Sequence, residues 1–153
     1  MTDQSIDIFD FIVIGAGSAG SAIAARLSED GKTRVCVLEA GPEDKSALIH
    51  MPLGFAFFPT GTIYNWAFDT APQRHLNNRV CYQPRGRTLG GSSSINAMIY
   101  IRGTKADYDG WGVPGWRWDD VLPYFKRAED NERGADDYHG SGGPLSVSDL
   151  RYR

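Results

Sequence analysis

The chain has 153 residues, 41% of them hydrophobic, with a formal net charge of −3 and two cysteines. At this length one core can form and bury roughly 68–70% of the surface that the unfolded chain exposes, so no disulfide or metal staple is required, and the composition argues against disorder. The slightly acidic balance argues against nucleic-acid or anionic-membrane partners, and Met1-Thr2-Asp3-Gln4-Ser5 lacks a basic signal region, so the expectation is a cytoplasmic protein.

Asp10-Phe11-Ile12-Val13-Ile14 is a short β-branched run ended by Gly15, the pattern of a strand covered on both faces. Ser18 to Asp30 is alanine-rich, sets Ile23 and Leu27 on one helical face and precedes Gly31, so it predicts a helix. Arg34-Val35-Cys36-Val37-Leu38-Glu39 repeats the strand pattern, which makes a βαβ unit over 10–40. The run Phe11 to Leu27 contains Gly15, Gly17, Gly20 and Arg26 and falls short of a membrane span.

After Gly41-Pro42 the regularity fades, with one short helix expected near Ser46 to Leu53. Asn65 to Thr70 and Arg79 to Gln83 alternate as short strands around a polar turn at Gln73 to Asn78. Asp119 to Glu129 predicts a helix with Val121, Leu122 and Phe125 on its apolar face and Pro123 tolerated by its early position. Asn131 to Gly143 reads as a surface loop, and Leu145 to Ser148 as one more strand. Cys36 and Cys81 lack metal or redox spacing, and His50, His75 and His139 read as structural or surface residues.

Gly15-Ala16-Gly17-Ser18-Ala19-Gly20 joins the first strand to the helix as G-x-G-x-x-G. Its glycines remove Cβ atoms where the chain turns, meets a pyrophosphate or packs helix on strand, and the helix N-terminus favours the anion. Glu39 ends the second strand, where a carboxylate can accept hydrogen bonds from adenosine ribose hydroxyls and repel a 2′-phosphate. The motif does not separate FAD from NAD, and a nucleotide-free βαβ turn remains an alternative.

In Gly86-Arg87-Thr88-Leu89-Gly90-Gly91-Ser92-Ser93-Ser94-Ile95-Asn96, adjacent glycines let backbone approach a ligand and three hydroxyls open an expected helix. That helix would set Ser92 and Asn96 on one face, along one extended ligand.

At Gly86 through Gly103 the chain resembles the glucose–methanol–choline (GMC) family of FAD-dependent oxidoreductases, which include choline and alcohol dehydrogenases. The likeness extends to the dinucleotide motif, Glu39-Ala40-Gly41, Asn65-Trp66, Asp107 through Trp111, Trp116 to Glu129 and Tyr138 through Leu145. The resemblance implies an α/β fold, the incomplete N-terminal part of a larger FAD-binding Rossmann-like domain. Within it lie a flavin-contacting loop and helix over 84–103, a helical segment over 106–130 and the start of a substrate-domain strand over 144–149.

It further implies that Gly15, Gly17, Ser18, Ala19 and Gly20 hold the FAD pyrophosphate, with Glu39 and Ala40 at the adenosine ribose. Arg87, Gly91 and Ser92 then flank the phosphate and ribityl region, Asn96, Ala97, Met98 and Ile99 approach the flavin ring, and Trp66 is a further contact. Some members attach the flavin through a histidine just before the equivalent of Asn96; Ile95 stands there, so noncovalent FAD is expected.

The family's chemistry oxidises an alcohol by hydride transfer to flavin N5, with a histidine base near the end of a much longer chain. That position has no counterpart here, so no catalytic residue is expected within these residues, and a missing C-terminal portion or complementary chain must complete the site. Alone the chain is expected not to turn over. A truncated non-enzymatic nucleotide-binding fragment and an NAD-binding module are the alternatives.

Overall fold

A computed structural model describes residues 7–60 and 63–151, in two compact units, Met1–Ile99 and Tyr100–Arg153.

In the first unit, β1 (Phe11–Ile14) and β2 (Val35–Leu38) pair in parallel from Phe11↔Val35 to Ile14↔Leu38, with α1 (Ser18–Leu27) crossing between them. The Asp10 carboxylate accepts the Arg34 N–H at 2.8 Å and fixes where the ladder begins. The helix stops at Leu27, short of the expected Asp30. Local polar bonding is the cause: the Ser28 hydroxyl donates to the Ala24 carbonyl at 2.9 Å, and the Asp30 carboxylate accepts both the Lys32 and Thr33 N–H groups at 2.9 Å.

Beyond β2, α2 (Ala47–His50) is capped by Ser46, whose Oγ accepts the Leu48 N–H. It runs on into a 3-10 stretch, Pro52–Thr60, where loop is expected past Leu53. Gly54 lies so close to α2 that a Cβ there would sit 1.8 Å from the Leu48 carbonyl oxygen. The paired alternating segments form a hairpin, β3 (Phe68–Asp69) against β4 (Tyr82–Gln83), in the register Phe68↔Gln83.

Buried Asn65 staples the base of that hairpin. Its Nδ2 donates to the Phe58 carbonyl at 3.1 Å and to the Tyr82 hydroxyl at 2.8 Å, while its Oδ1 accepts the Ala67 and Arg85 N–H groups at 3.0 and 2.9 Å.

The second unit carries α3 (Lys105–Gly110), α4 (Trp118–Ala128) and the parallel pair β5 (Glu129–Asn131) and β6 (Leu145–Val147). Two helices with an intervening loop thus occupy the segment 106–130. Capping explains where α4 begins, one residue earlier than expected: Asp120 accepts the Arg117 N–H at 3.1 Å and Asp109 accepts the Trp118 N–H at 3.0 Å. Tyr108 packs its ring against Trp111, Trp118 and Phe125, with centroids 5.2 to 5.8 Å apart.

Two expectations are corrected here. Glu129 leaves the helix, and Glu129–Asn131 is a strand rather than a helix end and loop. The cause is the burial of Glu129, whose fully buried carboxylate accepts from Arg102, from His139 Nδ1 and Asn131 Nδ2 at 2.9 Å, and from the Gly140 N–H at 3.1 Å. Burial alone pushes this carboxyl up, but the bonds from Asn131, His139 and Gly140 and the Arg102 charge outweigh it and hold the group below its usual value. His139, read as structural or surface, is structural and half-buried in this cluster.

Apolar side chains of the βαβ unit stand exposed, with Ile12 63%, Ile14 86% and Leu38 52% exposed.

Candidate cofactor site

The chain must reverse from β1 into α1 within three residues, and glycine makes the reversal possible. Gly15 adopts φ +94°, and Gly20 packs so tightly on it that a Cβ at Gly20 would lie 1.9 Å from the Gly15 carbonyl oxygen. The N-cap of α1 is Gly17, which offers no capping side chain, so the first-turn N–H groups remain available to an anion together with the helix dipole.

The second glycine-rich loop closes on the first. Gly17 bridges to Gly90, the Gly90 N–H donates to the Ala16 carbonyl at 2.8 Å, and the Ser18 and Ser93 hydroxyls hydrogen-bond to each other. Gly91 has φ +56°, and a Cβ on it would lie 2.7 Å from the Gly17 Cα. Thr88 anchors this loop to the β2 exit by donating its buried hydroxyl to the Pro42 carbonyl at 2.7 Å.

These contacts leave a groove of about 640 Å³. Ten of the residues singled out from the sequence line it: Gly15, Gly17, Ser18, Ala19 and Gly20 from the first loop, Glu39 and Ala40 from the end of β2, Trp66 from the hairpin base, and Gly91 and Ser92 from the second loop. The Glu39 carboxylate also holds backbone: Oε2 accepts the Ala16 N–H and Oε1 the Gly41 N–H, each at 2.8 Å. Ser92 Oγ accepts the Gly86 N–H at 3.0 Å.

Five further residues line it: Gly86, which opens the second glycine-rich stretch, and Ile14, Leu38, Phe68 and Arg85, which the sequence did not assign to the cofactor. A signal existed for two of them, because Ile14 and Leu38 end parallel strands and ligands of such sheets sit at the carboxyl ends. Phe68 stacks on Trp66 with ring planes 5° apart, a pairing that no local pattern announces.

Five expected residues stand elsewhere. Arg87 is not among the groove's lining residues; its guanidinium lies 5.3 Å from the Trp66 ring centroid and its buried Nε is without a hydrogen-bond partner. Asn96 and Met98 line a separate hollow of about 160 Å³ with Ser93, Ser94 and residues of the 44–58 segment, whereas Ala97 and Ile99 line neither space.

The expected helix is also absent: a 3-10 turn, Gly91–Ser94, takes its place, so Ser92 and Asn96 do not share a helical face. Side chains take over the backbone groups that a helix would need. Ser94 Oγ donates to the Leu89 carbonyl, Asn96 Oδ1 accepts the Met98 N–H, both at 2.7 Å, and Met98 sits at φ +55°.

Among the described residues, no group of three His, Cys, Asp or Glu side chains could hold a metal ion, and no helix is long and apolar enough to cross a membrane.

Residues 9–152 match the family described as GMC oxidoreductase. The chain belongs to the GMC oxidoreductase family. It is 54% identical over 148 residues to an alcohol dehydrogenase [acceptor] of Pseudomonas putida, covering 94% of this chain and 27% of that protein. It is 50% identical over 141 residues to an oxygen-dependent choline dehydrogenase of Brucella anthropi, covering 90% of this chain and 26% of that protein. The crystal structure of pyridoxine 4-oxidase from Mesorbium loti superposes with a TM-score of 0.80 at 40% identity, covering 91% of this chain and 28% of that one. This GMC chain therefore spans about a quarter of the length of the relatives it matches, and it shares their α/β architecture with parallel strands.

Proposed function

We propose that the chain binds FAD noncovalently and forms the N-terminal, cofactor-cradling part of an oxidoreductase that oxidises an alcohol at its CH–OH carbon. The observation that carries this reading is one groove lined by both glycine-rich loops and by Glu39. The residues present fit a dinucleotide, because the close packing of Gly20 on Gly15 and Gly91 on Gly17 shapes the turn, and the open first turn of α1 suits a pyrophosphate.

In this reading Gly15, Gly17, Ser18, Ala19 and Gly20 hold the diphosphate, Glu39 and Ala40 take the adenosine ribose, and Gly91 and Ser92 flank the ribityl chain. Trp66 lines the groove, and the Arg87 guanidinium stacks on its ring. Asn96, Ala97, Met98 and Ile99 approach the ring end, two of them from the smaller hollow. FAD, when bound, supplies a hydride acceptor at flavin N5. Ile14, Leu38 and Phe68 add apolar surface to the groove wall. Ile95 offers no nucleophile for a covalent link.

The alcohol's hydroxyl proton is taken by a base outside these residues, so the chain by itself does not turn over. The exposed apolar side chains of β1 and β2 support a covering partner, either the rest of the parent polypeptide or a complementary chain.

The test is a titration of the full protein with FAD and, separately, NADH. One FAD should bind with quenched flavin fluorescence, be released by acid denaturation, and bleach on addition of a primary alcohol. Tight NADH binding with FAD ignored would instead favour a nicotinamide module, and flavin that stays oxidised with every alcohol would favour a non-enzymatic nucleotide-binding protein.

A further inference from the structure

Glu39 does something in this fold that no ligand is needed to explain. Main-chain pairing between the parallel strands ends with the Gly15 N–H on the Leu38 carbonyl at 2.7 Å, and one residue later the Glu39 side chain replaces the backbone as acceptor. Oε2 takes the N–H of Ala16, which is 5% exposed, and Oε1 takes the N–H of Gly41.

Both ends of this bridge are tied to the second glycine-rich loop. The Ala16 carbonyl accepts the Gly90 N–H at 2.8 Å. A Cβ on Gly41 would lie 2.1 Å from the Arg87 carbonyl, so Gly41 rests directly on the Arg87–Thr88 peptide. A buried N–H left without an acceptor is costly, and a carboxylate accepts from two amides where a carboxamide has a single oxygen.

We propose that Glu39 is a positioning residue, a two-amide clamp that holds the two glycine-rich loops in binding geometry before any nucleotide arrives. The role rests on the dinucleotide reading of the groove and deepens it, because the carboxylate then orders the Gly15–Gly20 turn as well as making any ribose contact.

The two roles predict opposite signs. If Glu39 served only a ribose, Glu39→Gln would leave the affinity for inorganic pyrophosphate unchanged or raise it, since one negative charge beside the groove is removed. If Glu39 is the clamp, the same substitution loosens the Gly15–Gly20 turn and weakens pyrophosphate binding despite the gain in charge balance.

The experiment uses the full protein freed of nucleotide. Hydrogen exchange is read at the Ala16 and Gly41 amides, and affinities are measured for inorganic pyrophosphate and for adenosine. Glu39→Gln is expected to speed Ala16 exchange by about tenfold or more and to weaken pyrophosphate binding several-fold. Glu39→Asp keeps the charge but is one methylene too short to span both amides, so it should release at least one of them and keeps the test open should the Gln variant not fold. Unchanged Ala16 and Gly41 exchange in these variants, or pyrophosphate bound equally or more tightly by Glu39→Gln, overturns the clamp. Should wild-type protein ignore FAD and pyrophosphate while its Ala16 and Gly41 amides stay protected and are released by Glu39→Gln, the cofactor reading falls and the clamp stands.

Discussion

Replacing Arg102 by Met isolates the most deeply buried charge in the second unit. The side chains of Arg102 and Glu129 are 9% and 0% exposed, so the substitution leaves a carboxylate in the interior without its countercharge. Breaking a buried pair from one side costs about 3–5 kcal/mol. Arg102 also donates to the Tyr100 hydroxyl at 3.0 Å and lies 5.0 Å from the Phe125 ring centroid, and both contacts are lost. Three donors remain on Glu129, from Asn131, His139 and Gly140, which keeps the cost near the lower end. About 3 kcal/mol should move the urea midpoint of the full protein by roughly 1–3 M, read by tryptophan fluorescence. Adding Glu129→Gln should recover part of the loss, with a coupling of about 1.5 kcal/mol or more in the double-mutant cycle. A midpoint shift for Arg102→Met below about 0.5 M, or additive effects of the two substitutions, would mean that the buried pair is not coupled.

The Glu129 carboxyl is held below its ordinary value of 4.5, so its contribution is fully present above that pH and is lost as pH falls toward the lowered folded value; acid titration of wild type should show this loss, and Glu129→Gln should flatten it. Gly20→Ala places a Cβ 1.9 Å from the Gly15 carbonyl oxygen and should cost about 3 kcal/mol and abolish flavin binding, whereas Gly110→Ala meets nothing within 4 Å and should be neutral or stabilising by up to about 1 kcal/mol in thermal melts. Asn65→Ala strands the Ala67 and Arg85 N–H groups and the Phe58 carbonyl at the hairpin base, so denaturant melts should show a loss of about 3 kcal/mol or more. The 153 residues expressed alone should self-associate through the exposed β1 and β2 side chains, and a monodisperse, flavin-free monomer in sedimentation would contradict that.

What the amino-acid order determined by itself is the βαβ unit and the two glycine-rich loops. Strand runs, helix face and the demand for absent Cβ atoms at Gly15 and Gly20 are set by neighbours within a few residues, and backbone sterics act at that range. Ten groove residues followed from that logic and from the family resemblance together.

Tertiary structure alone decided the rest. The dual bonding of Glu39 joins amides 23 and 2 residues away, and the Ser18–Ser93 link spans 75 residues. Asn96 to Ile99 lie outside any helix because the Asn96 side-chain amide takes the Met98 N–H that a helix would use. Glu129 became a strand residue because Arg102, 27 positions earlier, waits beside it in a site dry enough to demand pairing. Residue type announces what a side chain can bond, but only the folded chain selects its partner, since burial removes the water that would otherwise satisfy it.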